Sequence, residues 1–431
     1  MNNMEKTDVK DIKEGKDVLL QGWVYDTRQL GKVRFMLFRD ITGMVQVVAH
    51  EDKADKKTFK MMTDITRESS VIIQGKAKAD KKAPGGVEIV PEKIEVVGAA
   101  EYPLPIDVSD FSKTELPKRL DYRFLDFHRK RTLAIFKIQS EISNSFKAYF
   151  YENGFLEMQP PCIISSASEG GTELFSVKYF EKNAYLAQSP QLYKQMVACS
   201  IGKTFTICPV WRAEKHNTTR HINEIRQMDI EMPFAGQMDV MKEQEKAMKF
   251  IVERVISNCK NELEILGVKL KIPSAKYLSY DETLDVLKKN KIELSYGEDL
   301  SPDAERKLSE IYPDALVFVH SWPASLKPFY IMPKDAKANA KYSEGFDMIY
   351  KGLEMSSGGQ RIHIPELLIE KIKSKGLNPK NFEYYINSFR YGAPPHAGWS
   401  IGLERITQVI CGLDNIKEAT MFPRDRDRLT P

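Results

Sequence analysis

The chain contains 431 residues, which at about 100–200 residues per domain corresponds to roughly two to four domains. Hydrophobic residues make up 42% of it and charged residues 29%, and a formal net charge of +4 is too small to indicate a nucleic-acid partner without a local basic site. The five cysteines show no CxxC pair and no metal-ligand spacing with the seven histidines, which argues against a zinc site or a disulfide framework.

No targeting or membrane segment is predicted. Residues 1–17 are polar and lack the apolar core of a signal peptide, and no run approaches the ~18 apolar residues of a membrane span. A cytoplasmic location is therefore expected.

Short strand-like runs fill residues 17–97, separated by turns at Gly31, Gly43 and the Pro-Gly-Gly sequence at 84–86. A helical stretch at 56–67 interrupts them. The predicted strands cover residues 18–25, 33–39, 45–49, 71–77 and 87–97. Five strands and one helix predict an OB-type β-barrel, a common oligonucleotide-binding shape, although other small barrels give the same pattern. We place this domain at residues 1–103.

Extended, proline-restrained chain at Tyr102-Pro103-Leu104-Pro105 ends the barrel. Residues 104–133 are interpreted as a hinge, within which the stretch 118–131 is locally basic. Its cations are Lys118, Arg119, Arg123, Arg129, Lys130 and Arg131. We expect a solvated segment, and a contact with a nucleic-acid backbone is the alternative.

A second domain, at residues 134–431, is predicted to open with a long helix that ends near Gly154, a residue suited to a C-terminal cap. Apolar residues recur in that helix at three- and four-residue steps, at Ile135, Ile138, Ile142, Phe146 and Phe150. Strand-like runs at 204–210 and 228–234 then alternate with helices at 238–266, 365–375 and 402–411. Residues 238–328 are rich in helix and carry no motif, so they are interpreted as an insertion.

Three separated segments of the second domain carry the motifs. They read GFLEMQPP at 154–161, then WRAE at 211–214 with RH at 220–221 and DIEM at 229–232, then GLER at 402–405. In this order they resemble motifs 1, 2 and 3 of class II aminoacyl-tRNA synthetases, and the resemblance covers nearly the whole chain. It implies an α+β catalytic domain with an antiparallel sheet flanked by helices, and a homodimer whose interface motif 1 builds.

The resemblance implies that a substrate carboxylate attacks the α-phosphate of ATP, a reaction in which positioning and positive charge dominate catalysis. Arg212 would clamp the α-phosphate and the carboxylate, and Arg405 would lie over adenine or reach the γ-phosphate; these two are the expected catalytic residues. The other expected ATP contacts are Glu214 at the adenine amino group, Arg220 and His221 at the β- and γ-phosphates, and Ile222, Glu354 and Gly402. Taken singly, each charged residue would more often form a surface ion pair.

A magnesium site is also implied. Asp347 and Glu354 occupy the positions of the family's metal carboxylates, and Ser357 is the hydroxyl beside metal and substrate. Mg²⁺ favours one or two protein carboxylates together with phosphate oxygens, which fits this pair.

The sequence QSPQLYKQ at 188–195 resembles the aspartate branch of the family, with Lys194 and Arg361 facing the substrate side chain. Glu169 in a mobile loop, Gln191, Arg212, Asp229 and Ser357 complete the expected aspartate contacts, with Asp229 accepting from the α-ammonium group. Neutral asparagine is expected to leave both cations unpaired, so the predicted reaction is activation of L-aspartate with ATP and transfer to tRNA(Asp). Two alternatives stay open: an asparagine–tRNA ligase and a non-catalytic tRNA-binding paralogue.

In the barrel, Arg28, Phe35, Gln46 and Glu88 resemble the family's anticodon contacts, with Phe35 stacking on a base. The alternative for Phe35 is a residue of the barrel core. Aspartate and asparagine anticodons differ only in their third base, which some relatives discriminate and others do not. Pro84 resembles the relatives that do not discriminate it, whereas Tyr25 matches neither group. Charging of tRNA(Asn) with aspartate is therefore slightly favoured. One departure from the family is Ile225, which follows Glu224 where many relatives place an aromatic residue against adenine.

Overall fold

The computed structural model describes residues 5–165 and 174–431, with the side chain of Pro84 left out. Contacts divide it into two compact units, the first ending at Asp107 and the second beginning at Val108. Most of the segment that was interpreted as a hinge, 104–133, therefore belongs to the second unit. No helix among the described residues is both long enough and apolar enough to cross a membrane.

The first unit is a closed β-barrel, which confirms the predicted OB-type architecture. Within the described residues its strands, in barrel order β1-β2-β3-β5-β4, are β1 (Asp17–Leu30), β2 (Val33–Arg39), β3 (Met44–His50), β4 (Ser70–Ala79) and β5 (Val87–Gly98). Helix α1 (Lys56–Asp64) begins after Asp55, whose carboxylate accepts from the amides of Lys57 and Thr58. It ends before the predicted residue 67 because Ile65 is extended and packs against the barrel core.

The second unit contains helices and strands in mixed order. Its helices are α2 (Leu116–Asp121), α3 (Arg123–Asp126), α4 (Lys130–Glu152), α5 (Gln191–Ile201), α6 (Gln237–Asn258), α7 (Lys260–Leu266), α8 (Tyr280–Lys289), α9 (Pro302–Ile311), α10 (Pro365–Ser374), α11 (Glu383–Arg390) and α12 (Leu403–Cys411). Its strands are β6 (Leu156–Glu157), β7 (Ile163–Ile164), β8 (Ser176–Tyr179), β9 (Lys182–Leu186), β10 (Thr204–Trp211), β11 (Glu224–Pro233), β12 (Ser274–Ser279), β13 (Ala315–His320), β14 (Gly345–Tyr350), β15 (Leu353–Gln360) and β16 (His396–Gly402).

In the part of the chain that the structure describes, the main sheet has eight strands in the order β12-β13-β14-β15-β16-β11-β10-β6. The strands from β13 to β10 pair antiparallel, as predicted, whereas the outermost pairs β12–β13 and β6–β10 are parallel. The interpretation of residues 238–328 as an insertion is wrong for β12 and β13, which extend this sheet, and for α6, whose apolar face lies in the main core.

The long helix α4 packs its apolar face into the same core, as the spacing of its isoleucines and phenylalanines predicted. It ends in a cap in which Gly154 adopts a φ of +76°, and the amide of Phe155 donates to the carbonyl of Phe150 at 3.0 Å. The cap turns the chain directly into β6. The first motif segment is thereby fixed to the edge of the main sheet.

The basic stretch 118–131 contains a buried ionic cluster. Arg123 and Asp126 are fully buried and form an ion pair, and Arg129 is 6% exposed. Arg119 bridges Asp126 at 2.8 Å and Glu418 at 3.2 Å. The expectation of a solvated hinge is therefore wrong for these residues, because Asp126 within the stretch and the distant Glu418 neutralise the arginines.

Candidate active site

The register of the main sheet brings distant segments into one row. Asp347 of β14 lies opposite Ser357 of β15, which lies opposite Ser400 of β16. Ser400 in turn lies opposite Asp229 of β11, and Asp229 opposite Thr206 of β10. Residues that are directly opposite across a sheet point to the same face, so the row gathers chemical groups from five strands. This face carries the site, and the other face packs on the core.

A cleft of ≈ 350 Å³ opens above this row. Its wall includes the predicted residues Gln191, Arg212, Glu214, Arg220, His221, Ile222, Asp347, Glu354, Ser357, Arg361, Gly402 and Arg405. The structure thus brings residues of the second and third motifs, the expected metal carboxylates and part of the expected amino-acid pocket together. Glu169 lies outside the described residues.

At one end of the cleft, Arg361 is held by Glu231 through two hydrogen bonds, of 2.9 Å from Nε and 3.3 Å from Nη2. The guanidinium is 2% exposed and lies on the cleft wall, and its Nη1 takes no part in the pair with Glu231. Gly398 makes this arrangement possible, because a Cβ there would lie 2.2 Å from Oε2 of Glu231. The result is a cation with a fixed orientation at the closed end of the cleft.

Lys194 lies beneath this end and is 1% exposed. Its Nζ donates to Oδ1 of Asp229 at 2.7 Å and to the carbonyl of Trp399 at 3.1 Å, and lies 3.5 Å from Glu231. The other oxygen of Asp229 accepts from Ser400 at 3.0 Å. Burial raises the pKa of Asp229, whereas burial opposed by the Arg361 charge leaves the pKa of Glu231 lowered.

These contacts bear on two expectations about the amino-acid pocket. Among the described residues, the cleft wall includes Ser400 but neither Lys194 nor Asp229, and both carboxylate oxygens of the fully buried Asp229 are engaged by protein donors. Asp229 therefore holds Lys194, and its contact with a substrate ammonium stays a prediction. Neutral asparagine would not leave Lys194 and Arg361 unpaired either, because each cation already has a carboxylate partner.

A neutral histidine completes this end of the site. His396 is fully buried, with Nε2 at 3.0 Å from Oε1 of Gln195 and Nδ1 at 3.0 Å from the carbonyl of Pro394. Tyr385 donates to the same oxygen of Gln195 at 2.8 Å. Burial lowers the pKa of His396 to about 4, so the ring is uncharged near neutral pH.

The other end of the cleft has a surplus of negative charge. Asp347 is 4% exposed, and its Oδ2 accepts from Lys327, whereas Oδ1 is buried and has no donor among the described residues. Burial and the neighbouring Asp347 raise the pKa of Glu354 to about 7. Oε1 of Glu354 accepts from Ser357 at 3.1 Å. Two adjacent carboxylates, one of which has an oxygen without a donor among the described residues, fit a divalent cation.

The described residues hold no group of three or more histidine, cysteine or acidic side chains arranged to bind a metal by themselves. A cation at Asp347 and Glu354 would therefore need further ligands, such as phosphate oxygens or water. This is the usual situation for Mg²⁺ bound with a nucleotide.

The second motif forms the loop between β10 and β11 and places its cations at the open side of the cleft. Oε2 of Glu214 lies 3.5 Å from Nε2 of His221, whose Nδ1 lies 2.6 Å from the hydroxyl of Thr218. Arg405, near the start of α12, donates to the carbonyl of Glu354 at 2.8 Å. Ile225, expected to replace an aromatic residue of the family, also lies on the wall.

Several wall residues were not found from the sequence. Lys327 and Asp299 line the cleft, and both belong to the region that was interpreted as an insertion. Leu326, Pro328, Tyr330, Ile331 and Ile416 also contribute to the wall. No periodicity or spacing singles out Lys327, and its pairing with Asp347 depends on the tertiary fold.

On the barrel, the four predicted anticodon contacts lie on neighbouring strands. Arg28 lies opposite Phe35, with its guanidinium carbon 5.5 Å from the ring centroid, and Gln46 pairs with Glu88. Phe35 is half-buried and lies outside the barrel core, so the alternative of a core residue is wrong. Burial, with a smaller effect of Asp80, raises the pKa of Glu88.

The two expected discrimination positions differ in what surrounds them. The ring of Tyr25 lies beneath the guanidinium of Arg39, at 5.6 Å from its central carbon. Pro84 begins a single 3₁₀ turn that leads into β5.

The chain matches two family models. Residues 115–426 match the model described as tRNA synthetases class II (D, K and N), and residues 18–97 match an OB-fold nucleic acid binding domain. The chain therefore belongs to the class II tRNA synthetases of this group, enzymes that form aminoacyl-tRNA and typically use ATP and Mg²⁺.

Among its relatives are proteins named Aspartate--tRNA(Asp/Asn) ligase. That of Methanocaldococcus jannaschii is 45% identical over 427 residues, which cover 98% of this chain and 97% of the relative. That of Archaeoglobus fulgidus is also 45% identical, over 98% of this chain and 99% of the relative.

Solved structures resemble the whole chain. Asparaginyl-tRNA synthetase from Pyrococcus horikoshii complexed with asparaginyl-adenylate has a TM-score of 0.94 at 34% identity and covers 99% of this chain and 100% of its own. Aspartyl tRNA synthetase from Entamoeba histolytica has a TM-score of 0.90 at 31% identity, with 100% and 93% covered.

Proposed function

We propose that this chain is an aspartate–tRNA ligase: it activates L-aspartate with ATP to aspartyl-adenylate and transfers aspartate to the 3′ end of tRNA(Asp) and of tRNA(Asn). The observation that carries the choice of amino acid is the Arg361–Glu231 pair at the closed end of the cleft. The pair presents a guanidinium to the cleft with its orientation already fixed, as recognition of a planar carboxylate requires.

Aspartate is selected through directed hydrogen bonds rather than through unpaired charge. The Nη1 group of Arg361 offers donors to a β-carboxylate, while Lys194 behind it is held by Asp229 and stabilises the negative charge at short range. The NH₂ group of an asparagine side chain would face the guanidinium donors of Arg361 and leave them without an acceptor. Such unsatisfied donors cost several kcal/mol in a site from which water is excluded. Gln191 and Ser357 are the wall groups proposed for the rest of the amino acid, and Glu169 is proposed to close over it.

ATP is proposed to lie along the open part of the cleft. Arg212 contacts the α-phosphate and the attacking carboxylate, and Arg405 neutralises charge near adenine or the γ-phosphate. The remaining contacts proposed for ATP are Glu214, Arg220, His221, Ile222, Glu354 and Gly402, all on the cleft wall. Negative charge grows on phosphate oxygens as pyrophosphate leaves, and donors that are already oriented lower that barrier.

Mg²⁺ is proposed to be held by Asp347 and Glu354, with Ser357 beside it. When bound, the ion supplies positive charge to the phosphate oxygens of ATP. Lys327 donates to Oδ2 of Asp347 and is its counter-ion in this structure.

On the barrel, Phe35 is proposed to stack on an anticodon base, with Arg28, Gln46 and Glu88 at base edges. Charging of tRNA(Asn) is supported by relatives that bear the name Asp/Asn ligase and by the turn that begins at Pro84. The resemblance of the first motif segment to motif 1 supports a homodimer.

Pyrophosphate exchange into ATP, with aspartate and asparagine compared side by side, tests the choice of amino acid. We expect aspartate to be favoured by about 10²-fold or more. Aminoacylation of tRNA(Asp) and tRNA(Asn) transcripts with aspartate then tests the range of tRNAs. Charging of tRNA(Asp) alone would contradict the second substrate and leave the first intact.

An asparagine–tRNA ligase is the second candidate, because the asparaginyl-tRNA synthetase of Pyrococcus horikoshii shares the fold at a TM-score of 0.94. The same exchange assay separates the two, since that enzyme class would show the opposite preference. Absence of exchange with either amino acid would favour a non-catalytic tRNA-binding paralogue.

A further inference from the structure

Helix α9 lies against the hairpin formed by β14 and β15, which carries the proposed metal carboxylates. Two side chains of α9 bind backbone amides of this hairpin: Ser309 accepts from Gly352 at 2.7 Å, and Oε2 of Glu305 accepts from Glu354 at 3.2 Å. Because Gly352 has a φ of +81° and a Cβ there would meet Arg306, the hairpin turn is fitted to the helix surface. The helix therefore supports the hairpin at its turn and at Glu354.

Glu354 sits beside a β-bulge, where the register between β14 and β15 shifts after Met348. A bulge interrupts the ladder and changes the direction of nearby side chains, so the backbone there needs other partners. Glu354 has two: its amide donates to Glu305, and its carbonyl accepts from Arg405. The direction of its carboxylate towards Asp347 depends on these contacts.

The same oxygen of Glu305 lies 3.8 Å from Nη1 of Arg220, in the loop proposed to bind phosphates. Glu305 is 8% exposed, and burial raises its pKa although Arg220 and Arg405 oppose that effect. The carboxylate of Glu305 adds negative potential near the proposed metal site. At 3.8 Å it attracts Arg220 without forming a hydrogen bond, so this contact does not occupy the Nη1 donors of Arg220.

We infer that Glu305 is a positioning residue for nucleotide-bound Mg²⁺, which sets the backbone of Glu354 and the direction of Arg220. This inference rests on the proposed function, since it presumes that ATP and its metal ion occupy the cleft. Residues that support metal ligands typically change metal affinity by about 10–100-fold when they are replaced.

The experiment uses the full chain with ATP and measures binding of Mn²⁺, a paramagnetic substitute for Mg²⁺, by electron paramagnetic resonance. Glu305→Gln keeps an acceptor for the Glu354 amide and removes the charge, and Glu305→Ala removes both. We expect the Kd of Mn²⁺ to rise about threefold to tenfold in the first variant and tenfold or more in the second. The KM for ATP should rise with it, while the KM for aspartate stays within about twofold, since Glu305 is remote from the Arg361 end.

Ser309→Ala is the matched control, because it removes a hydrogen bond from the same helix to the same hairpin but no charge. Its Mn²⁺ affinity should stay within about twofold of the wild type. Any of three results would overturn the inference. These are equal losses of Mn²⁺ affinity in Ser309→Ala and Glu305→Ala, an unchanged Mn²⁺ affinity in both Glu305 variants, and tighter Mn²⁺ binding in Glu305→Gln. If the wild-type chain does not bind Mn²⁺ in the presence of ATP, the proposed metal site itself is wrong. The variant results described above would overturn only the role of Glu305.

Discussion

The two ends of the cleft are built on different electrostatic principles. At the Arg361 end, every charge is buried beside an opposite charge, since Glu231 holds Arg361 and Asp229 holds Lys194. At the Asp347 end, carboxylates outnumber their partners, and a buried oxygen of Asp347 has no donor among the residues that the structure describes. The first end is complete before a ligand arrives, whereas the second is arranged to receive cations.

We therefore propose that specificity resides at the first end and metal dependence at the second. A fixed cation recognises one shape of ligand, because its donors cannot turn to suit another. Two carboxylates that repel each other favour binding of a cation, because the cation relieves the repulsion between them. Substitutions at the two ends should therefore differ in kind: the first should change selectivity and stability, and the second should change the metal requirement.

The largest effect is expected from Arg361→Gln. This change removes the wall cation and leaves Glu231 buried without its bidentate partner, a loss of about 3–5 kcal/mol. Aspartate-dependent pyrophosphate exchange should fall about 10²–10³-fold, with the KM for aspartate rising and that for ATP little changed. Arg220→Gln, at the other end, should show the reverse pattern of KM values. An unaltered KM for aspartate in Arg361→Gln would remove the basis for the comparison.

Next in size is the stability of Lys194→Met. Asp229 would become a buried carboxylate without its main counter-ion, so the free energy of unfolding should drop by about 3–5 kcal/mol in urea titrations. The double variant Lys194→Met/Asp229→Asn should recover at least half of that loss, because neither charge remains. If the double variant is as unstable as Lys194→Met, the Lys194–Asp229 ion pair does not account for the stability of the Arg361 end.

A pH dependence follows from His396, whose pKa is lowered by burial from 6.5 to about 4. A histidine with a lowered pKa stabilises the fold above the unfolded pKa, and this contribution is lost as pH falls from about 6.5 towards 4. The difference corresponds to about 3 kcal/mol across that window. His396→Gln should flatten the unfolding free energy against pH between these limits; an equally steep profile would assign the acid sensitivity to other groups.

The smallest effect on stability, with a larger one on metal binding, is expected from Asp347→Asn. The Mg²⁺ concentration for half-maximal exchange should rise about tenfold, because one of two carboxylates is lost. The free energy of unfolding should change by less than about 1 kcal/mol, since repulsion with Glu354 is relieved as the pair with Lys327 is lost. Glu344→Gln, an acidic position just before β14 and off the cleft wall, is the control and should leave the Mg²⁺ requirement unchanged.

The sequence predicted the barrel and the motif residues because local patterns encode both. Alternating apolar runs predicted the strands of the barrel, and Arg212 and Arg405 lie within short ordered motifs. Lys327 and Glu305 lie in no motif, and only tertiary packing brings them to the β14–β15 hairpin. Strand pairing between distant segments has no local signature, so the sequence does not indicate that residues 238–328 contribute β12 and β13 to the main sheet.

The role of Asp229 shows a second limit. A pattern places an acidic residue near a substrate pocket but does not show which of its oxygens are already used. Only the structure shows that Lys194 and Ser400 donate to the two oxygens of Asp229.

The buried guanidinium of Arg123 also bears on the synthesis of the chain. It donates to the carbonyls of Glu418, Thr420 and Met421, the first of them 295 residues further along. Until a ribosome has released that segment, the arginine can pair with Asp126 but lacks the remaining acceptors. The catalytic unit therefore completes this part of its interior only after residues 418–421 have emerged, when the N-terminal barrel already has all of its own strands.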